Sequence, residues 1–243
     1  MRLAGRNYCC WDSQLEFQSS QSSASASQDP LGEPIIQNEA SIAMSEVENA
    51  MQQAREETVD FEQLVEQLNN EQKAIFNEFK AKIEHWSLHE KNACECSLFK
   101  LILLYISGQA GTEKSYLIKV ITTYLQKTTD CNLSCVVTAP TGLAVHNIKG
   151  VTLHCLLMLP VEHDNKLEYQ KLSGDACHEV SRVLKKLKFL IIDEVSMVSK
   201  IMLAFIHLWI QQILQTNYDV LFGGKHLIVF SDLLQLTPVK GQP

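Results

Sequence analysis

Between Asn69 and Trp86 the apolar residues Ile75, Phe76, Phe79, Ile83 and Trp86 recur every three or four positions, the spacing that lines one face of an α-helix. Asn69 is a good N-cap, and Gln72 stands three residues on, where a capping-box partner sits. The pattern then changes. Leu101 to Ser107 is an apolar run with the length of a buried strand, and Lys114 to Gln126 returns to helical spacing. Further strands are predicted near 135–139, 188–193 and 227–231; the last two lie in KFLIIDEVSM and LIVFSDLLQL, where apolar runs pass directly into polar residues. Apolar strands alternating with amphipathic helices predict an α/β fold, a mostly parallel sheet with helices on both faces.

The front of the chain differs. SQSSASASQDP, residues 20–30, has no apolar period and too little to bury to offset the entropy of ordering it, so disorder is expected. From Ala40 to Gln67 the composition is helix-prone but strongly acidic with few apolar anchors, which predicts a loosely held or partner-dependent helix. Residues 1–57 therefore read as a tail, 58–97 as a helix with a connector, and 98–243 as the α/β domain. Charge follows the same division. The net charge is −7, but residues 98–243 carry 14 basic and 11 acidic groups, a mild excess compatible with a polyanionic partner. The N-terminus has no apolar signal-peptide core, and the longest apolar run, LILLYI, is far below the ~20 residues of a membrane span, so a soluble, non-secreted chain is expected.

Without a signal peptide the 8 cysteines are expected as thiols. His85, His89, Cys94 and Cys96 lie close together, yet the C-x-C spacing is atypical of zinc sites and no C-x-x-C pair supports it; a polar connector is the preferred reading over a metal site.

The densest chemistry lies in GQAGTEKS, residues 108–115, between a predicted strand and a predicted helix. Such a turn aims backbone N–H groups and a helix N-terminus at an anion. Gly108 and Gly111 permit close approach, Lys114 has the reach for β- and γ-phosphates, and the Ser115 hydroxyl is placed for Mg²⁺. Asp193 and Glu194 end the third strand, where an open parallel sheet faces its ligand crevice; Asp193 is the candidate Mg²⁺ ligand through water and Glu194 the group that orients and deprotonates an attacking water. Gln235, after the fourth strand, is a candidate γ-phosphate sensor. Gln72 has two readings, a mere cap or an amide that recognises adenine.

In order and spacing, LNxxQ, GQAGTEKS, TAPTGLAVHNIKGVTLHCLL, IIDEVSM and FGG followed by SDLLQLTPV resemble the first motor domain of the petite-integration-frequency (Pif) DNA helicases, in the RecD-like branch of superfamily 1. The resemblance covers residues 68–243. It implies a RecA-like P-loop NTPase domain that uses ATP and Mg²⁺ to move 5′ to 3′ on single-stranded DNA and to open duplex junctions, in a nuclear or mitochondrial setting of repair, recombination and telomere maintenance. Carried onto this chain, Gln72 contacts adenine; Gly108, Gln109, Ala110, Gly111, Thr112, Glu113, Lys114 and Ser115 form the phosphate loop; Asp193 and Glu194 are the metal and catalytic pair, and Gln235 the sensor. Pro140, Thr141, Asn147 and His154 match segments that touch single-stranded DNA, where hydroxyl, amide and imidazole groups hold phosphates without reading bases. The residues alone also allow His154 to be a core imidazole packed between Leu153 and Leu156.

Three positions depart from the family. Glu113 stands where the family has glycine, Ser231 replaces the glycine of the loop after the fourth strand, and Thr237 replaces a proline. A carboxylate ~5 Å from a phosphate oxygen costs about 3 kcal/mol at an effective dielectric near 20, roughly a hundredfold in binding, and Glu113 also competes for Lys114. The sequence runs out at TPVKGQP, before the region where the family's second RecA-like domain would follow. The expectation is an incomplete, impaired copy of a helicase motor, with a transposon-derived, non-catalytic binding module as the alternative; a P-loop ATPase unrelated to DNA is disfavoured by the TAPTG and T-x-H segments.

Overall fold

The structure, a computed structural model of the 243-residue chain, describes residues 2–4, 33–56, 60–91, 101–159 and 174–232. Its elements in order are β1 (Arg2–Ala4), α1 (Glu33–Glu56), α2 (Phe61–Glu66), α3 (Asn70–Lys91), β2 (Leu103–Ser107), α4 (Lys114–Thr129), β3 (Cys135–Ala139), α5 (Gly142–Ile148), β4 (Val151–Thr152), α6 (Leu153–Leu157), α7 (Gly174–Lys186), β5 (Phe189–Ile192), α8 (Lys200–Leu214) and β6 (His226–Ser231). The strands form one sheet in the order β1-β2-β6-β5-β3-β4. Five of them run parallel, and β1 is an antiparallel edge against β2. The four expected strands are present. The two short ones, β1 and β4, have only 3 and 2 residues, too few to show a period in the sequence.

The period-2 alternation of each strand sends its side chains into two separate cores. Cys135 and Val137 of β3, Phe189 and Ile191 of β5, and Ile228 and Phe230 of β6 pack with α2, α3 and α4. Val136, Leu190, Ile192 and Leu227 point the other way, into a core closed by α1, α6, α7 and α8. All residues of β3 and β5 are buried, as a parallel strand covered on both faces requires.

The acidic front segment supplies one of those covering helices. In α1, Ala40, Met44, Val47 and Met51 are 0 to 3% exposed and join the second core, so the helix is packed on its own chain and not loosely held. Positions 40, 44, 47 and 51 are spaced as a single stripe, and a narrow stripe suffices when a groove between α6 and α7 receives it; burying each methionine contributes about 2 kcal/mol. The acidic face is also used: Glu48 Oε1 accepts from Arg182 Nη1 at 2.7 Å and lies 3.6 Å from Lys186 Nζ. Among the described residues no helix is long and apolar enough to cross a membrane.

At the opposite edge of the sheet from its loops, three rings from distant parts of the chain clamp α3. The His226 ring stacks on Phe189 with centroids 4.6 Å apart, and Trp86 meets both edge-on at 5.0 Å. Nδ1 of His226 accepts from Ile102 N at 3.0 Å, which fixes the neutral ring as acceptor. Burial, with the Lys188 and Lys225 charges adding to it, lowers the His226 pKa to about 4. The unfolded chain then binds more protons than the folded one between about pH 6.5 and 4, so this ring's contribution is complete above that window and is lost as pH falls through it. His226→Asn keeps an acceptor for Ile102 but does not titrate. Its deficit in unfolding free energy relative to the parent should therefore shrink, by up to about 3 kcal/mol, between pH 6.5 and pH 4. Parallel denaturant titrations at each pH measure the gap, and a constant gap would contradict the assignment.

Candidate functional site

β2 ends at Ser107 because glycines follow, and α4 begins at Lys114. Between them the loop returns on itself: Thr112 N and Oγ1 both donate to Gln109 O, at 3.3 and 2.8 Å. Gly111 has φ 78°, a left-handed conformation natural to glycine, and open space where a side chain would stand. Gln109, Ala110, Gly111 and Ser115 are exposed. The loop is thus an open cradle at the N-terminus of a 16-residue helix. Gly108 N donates to Ser231 O at 3.0 Å, which binds the start of the cradle to the end of β6.

Lys114 carries its ammonium back into this cradle. Nζ donates to Gly108 O at 2.9 Å and Gln109 O at 3.2 Å, and stands 3.9 Å from Asp232 Oδ2. The expected competition from Glu113 is not what the fold arranges. Glu113 has φ 54° and ψ 44°, its side chain is exposed and makes no capping hydrogen bond, and Lys114 turns to the loop carbonyls and Asp232. The family glycine has a physical reason in this geometry, since a left-handed residue at the helix start costs an L-amino acid about 1–2 kcal/mol.

Asp232, absent from the sequence-based set of site residues, is 2% exposed and ends β6 as Asp193 ends β5. The signal was the same in both places, an apolar run passing straight into an aspartate. Asp193 is 5% exposed, and its N–H is tied to Thr138 O of β3 at 2.8 Å. Burial raises its carboxyl pKa to about 6, assisted by the Glu194 charge and opposed by the Glu194 N–H bond at 2.9 Å and by Lys114. Glu194 is half-buried with φ 54° and opens a 3-10 turn, Val195–Met197.

Gln72 holds the loop from the side. Its backbone N and Oε1 complete a capping box with Asn69 at 2.9 and 3.0 Å, while Nε2 donates to Thr112 O at 3.0 Å and Glu113 O at 3.3 Å. The cap is therefore formed, and the same amide also clasps the loop. At 1% exposure both ends of the amide are engaged, so an adenine edge meets it only when those carbonyls release it.

The segments matched to DNA contacts continue along the same crest. Thr141 caps α5, accepting from Ala144 N at 3.4 Å, and Thr152 caps α6, accepting from Cys155 N at 3.0 Å. Pro140 and Thr141 are half-buried, and Asn147 is exposed on a helix that buries no residue. His154 is half-buried between the buried Leu153 and Leu156, in part the packed imidazole considered above. Gly150 is required between α5 and β4, because a Cβ there would fall 2.3 Å from Val137 O. A cavity of about 220 Å³ is lined by α4, this segment and part of α1, with Ser115 and Asn147 both in its wall. Gln235, Thr237, Cys94 and Cys96 lie outside the described residues.

Because the phosphate loop follows β2 and the buried aspartates follow β6 and β5, the next two parallel strands, the fold is that of a RecA-like P-loop NTPase domain. Within that class the chain belongs to the PIF1-like helicase family, whose model matches residues 67–243. It is 33% identical over 164 residues to the ATP-dependent DNA helicase PIF1 of Emericella nidulans, covering 66% of this chain and 21% of that protein. Against the enzyme of the same name from Xenopus laevis it is 35% identical over 139 residues, 56% of this chain and 20% of that one. The Pif1 helicase structure from Candida albicans aligns with a TM-score of 0.51 at 26% identity, covering 71% of this chain and 34% of that one. The chain thus spans about a fifth of the length of those curated relatives.

The buried Asp193 carboxyl generates a test. Its pKa is raised above the usual 3.8, so the folded state binds more protons between about pH 4 and 6, and its contribution to stability is lost as pH rises through that window. At pH 7 the ionised group costs up to about 3 kcal/mol. Asp193→Asn should melt several degrees above the parent at pH 7 in the absence of nucleotide, with the difference closing near pH 4. A variant that melts lower at pH 7 would show that Asp193 is compensated within the fold.

Proposed function

We propose that this chain is the nucleotide-binding lobe of an ATP-dependent DNA helicase, taking Mg²⁺-ATP in the loop 108–115 and single-stranded DNA along the crest. The observation that carries the reading is the Lys114 ammonium held at the mouth of the cradle by carbonyls and Asp232. The donor set fits the ligand. An open loop of backbone N–H groups suits phosphate, and a buried carboxyl raised to about 6 is short of a cation.

In this reading Lys114 exchanges the Gly108 and Gln109 carbonyls for the β- and γ-phosphates, and Gln72 releases the loop to meet adenine. Ser115 and, through water, Asp193 would hold Mg²⁺, which would supply charge neutralisation at the phosphates. Glu194 orients the attacking water and takes its proton, and Gln235 senses the γ-phosphate. Pro140, Thr141, Asn147 and His154 bind the DNA backbone without reading bases. The relatives' name supports the DNA substrate, and the family resemblance supports 5′ to 3′ movement, opening of duplex junctions and a nuclear or mitochondrial setting.

A second reading, a binding module that does not turn over ATP, is favoured by the left-handed Glu113. Two substitutions test the nucleotide site and the effect of Glu113 on it in calorimetric titrations with Mg²⁺ and a non-hydrolysable ATP analogue. Lys114→Ala should weaken binding at least about tenfold, the worth of a charge-assisted hydrogen bond; unchanged affinity would sink the nucleotide assignment. Glu113→Gly relieves about 1 kcal/mol of backbone strain, raising the melting midpoint by about 2–4 °C, and should strengthen analogue binding by about tenfold, less than the bare Coulomb figure because the carboxylate is exposed. Equal affinity in parent and variant would show that Glu113 does not impair the site.

A further inference from the structure

At the end of α3 remote from Gln72, two histidines face each other across one helical turn. His85 Nε2 and His89 Nε2 are 3.2 Å apart, with ring centroids at 4.3 Å and planes inclined by 44°. A tetrahedral ion held at 2.0–2.1 Å by two imidazole nitrogens requires those nitrogens about 3.3 Å apart. The rings therefore already have the bite of a chelate. His85 is exposed and His89 half-buried, so an ion reaches them from solvent. At the observed separation one Nε2–H donates to the other ring's lone pair; moving that proton to Nδ1 of the same ring presents two Nε2 lone pairs with no change in proton count.

We propose that His85 and His89 form a bidentate site for a divalent first-row transition cation, with Zn²⁺ as the type. Among the described residues no group of three or more His, Cys, Asp or Glu side chains could hold a metal, so the site the described residues carry is the two-imidazole bite itself. Imidazole nitrogens select Zn²⁺, Cu²⁺ or Ni²⁺ over Mg²⁺, which separates this site chemically from the oxygen ligands Ser115 and Asp193. It is separated in space as well, because His85 follows Gln72 by 13 residues, about 20 Å along the helix. The consequence is mechanical. Trp86, between the two histidines in sequence, packs on Phe189 and His226, so an ion linking successive turns staples the part of α3 that is clamped to the sheet.

The test titrates Zn²⁺ alone into the full chain under reducing conditions, following the imidazole nitrogens by NMR and binding by calorimetry. His85 and His89 should shift together, Mg²⁺ at the same concentration should move neither, and Zn²⁺ should raise the melting temperature. His85→Gln and His89→Gln should each weaken this event at least about tenfold while keeping the parent's helical circular dichroism. Lys114→Ala should leave it unchanged. Zn²⁺ that moves neither ring, or that binds either glutamine variant as tightly as the parent, would overturn the proposal and place the ion on the cysteines.

Discussion

At the crest of the sheet the Lys114 ammonium lies among the carbonyl oxygens of its own loop and 3.9 Å from a nearly inaccessible aspartate at the end of the adjoining strand. That arrangement depends on parallel register. β2 and β6 pair Ser107 with Ser231, so the loop after one and the carboxylate after the other begin at the same height. β5 pairs with β6 one strand further on, Ile192 opposite Val229, and brings Asp193 to the same end of the sheet. A sheet with β2 or β6 reversed would send that strand's polar end to the opposite end of the sheet, and the cation would lose Asp232.

The polar crest is tolerable because the rest of the sheet is so thoroughly apolar. Both faces of β3 and β5 are covered, by α2 to α4 on one side and by α1 and α6 to α8 on the other. The polar groups of the candidate site, Lys114, Asp193 and Asp232, are thereby gathered just beyond strand ends, where a ligand's charge would meet them. Asp193 shows the cost of that confinement in its raised pKa. Desolvation there is what a bound cation would offset.

The expectations that failed did so for specific reasons. The acidic helix was expected to be loose because its charge dominates its composition, yet four residues spaced along one stripe meet a groove that only the assembled α6 and α7 create. Glu113 was expected to compete for Lys114 as its sequence neighbour. The Glu113 carboxylate is exposed, and Asp232, 118 positions beyond Lys114, is the carboxylate beside the ammonium.

Strand positions, the phosphate loop and the class of the fold were legible in the chain itself, because Val, Ile and Leu runs broken by glycine or aspartate reflect local backbone preference and burial, both encoded over a few residues. The pairing of Lys114 with Asp232, the clasp of Gln72 on Thr112 and the ring cluster of Trp86, Phe189 and His226 join residues tens to more than a hundred positions apart. No local pattern marks such partners. They are chosen by which strands lie side by side, and strand order emerges only when both faces of the sheet are packed and the two cores close.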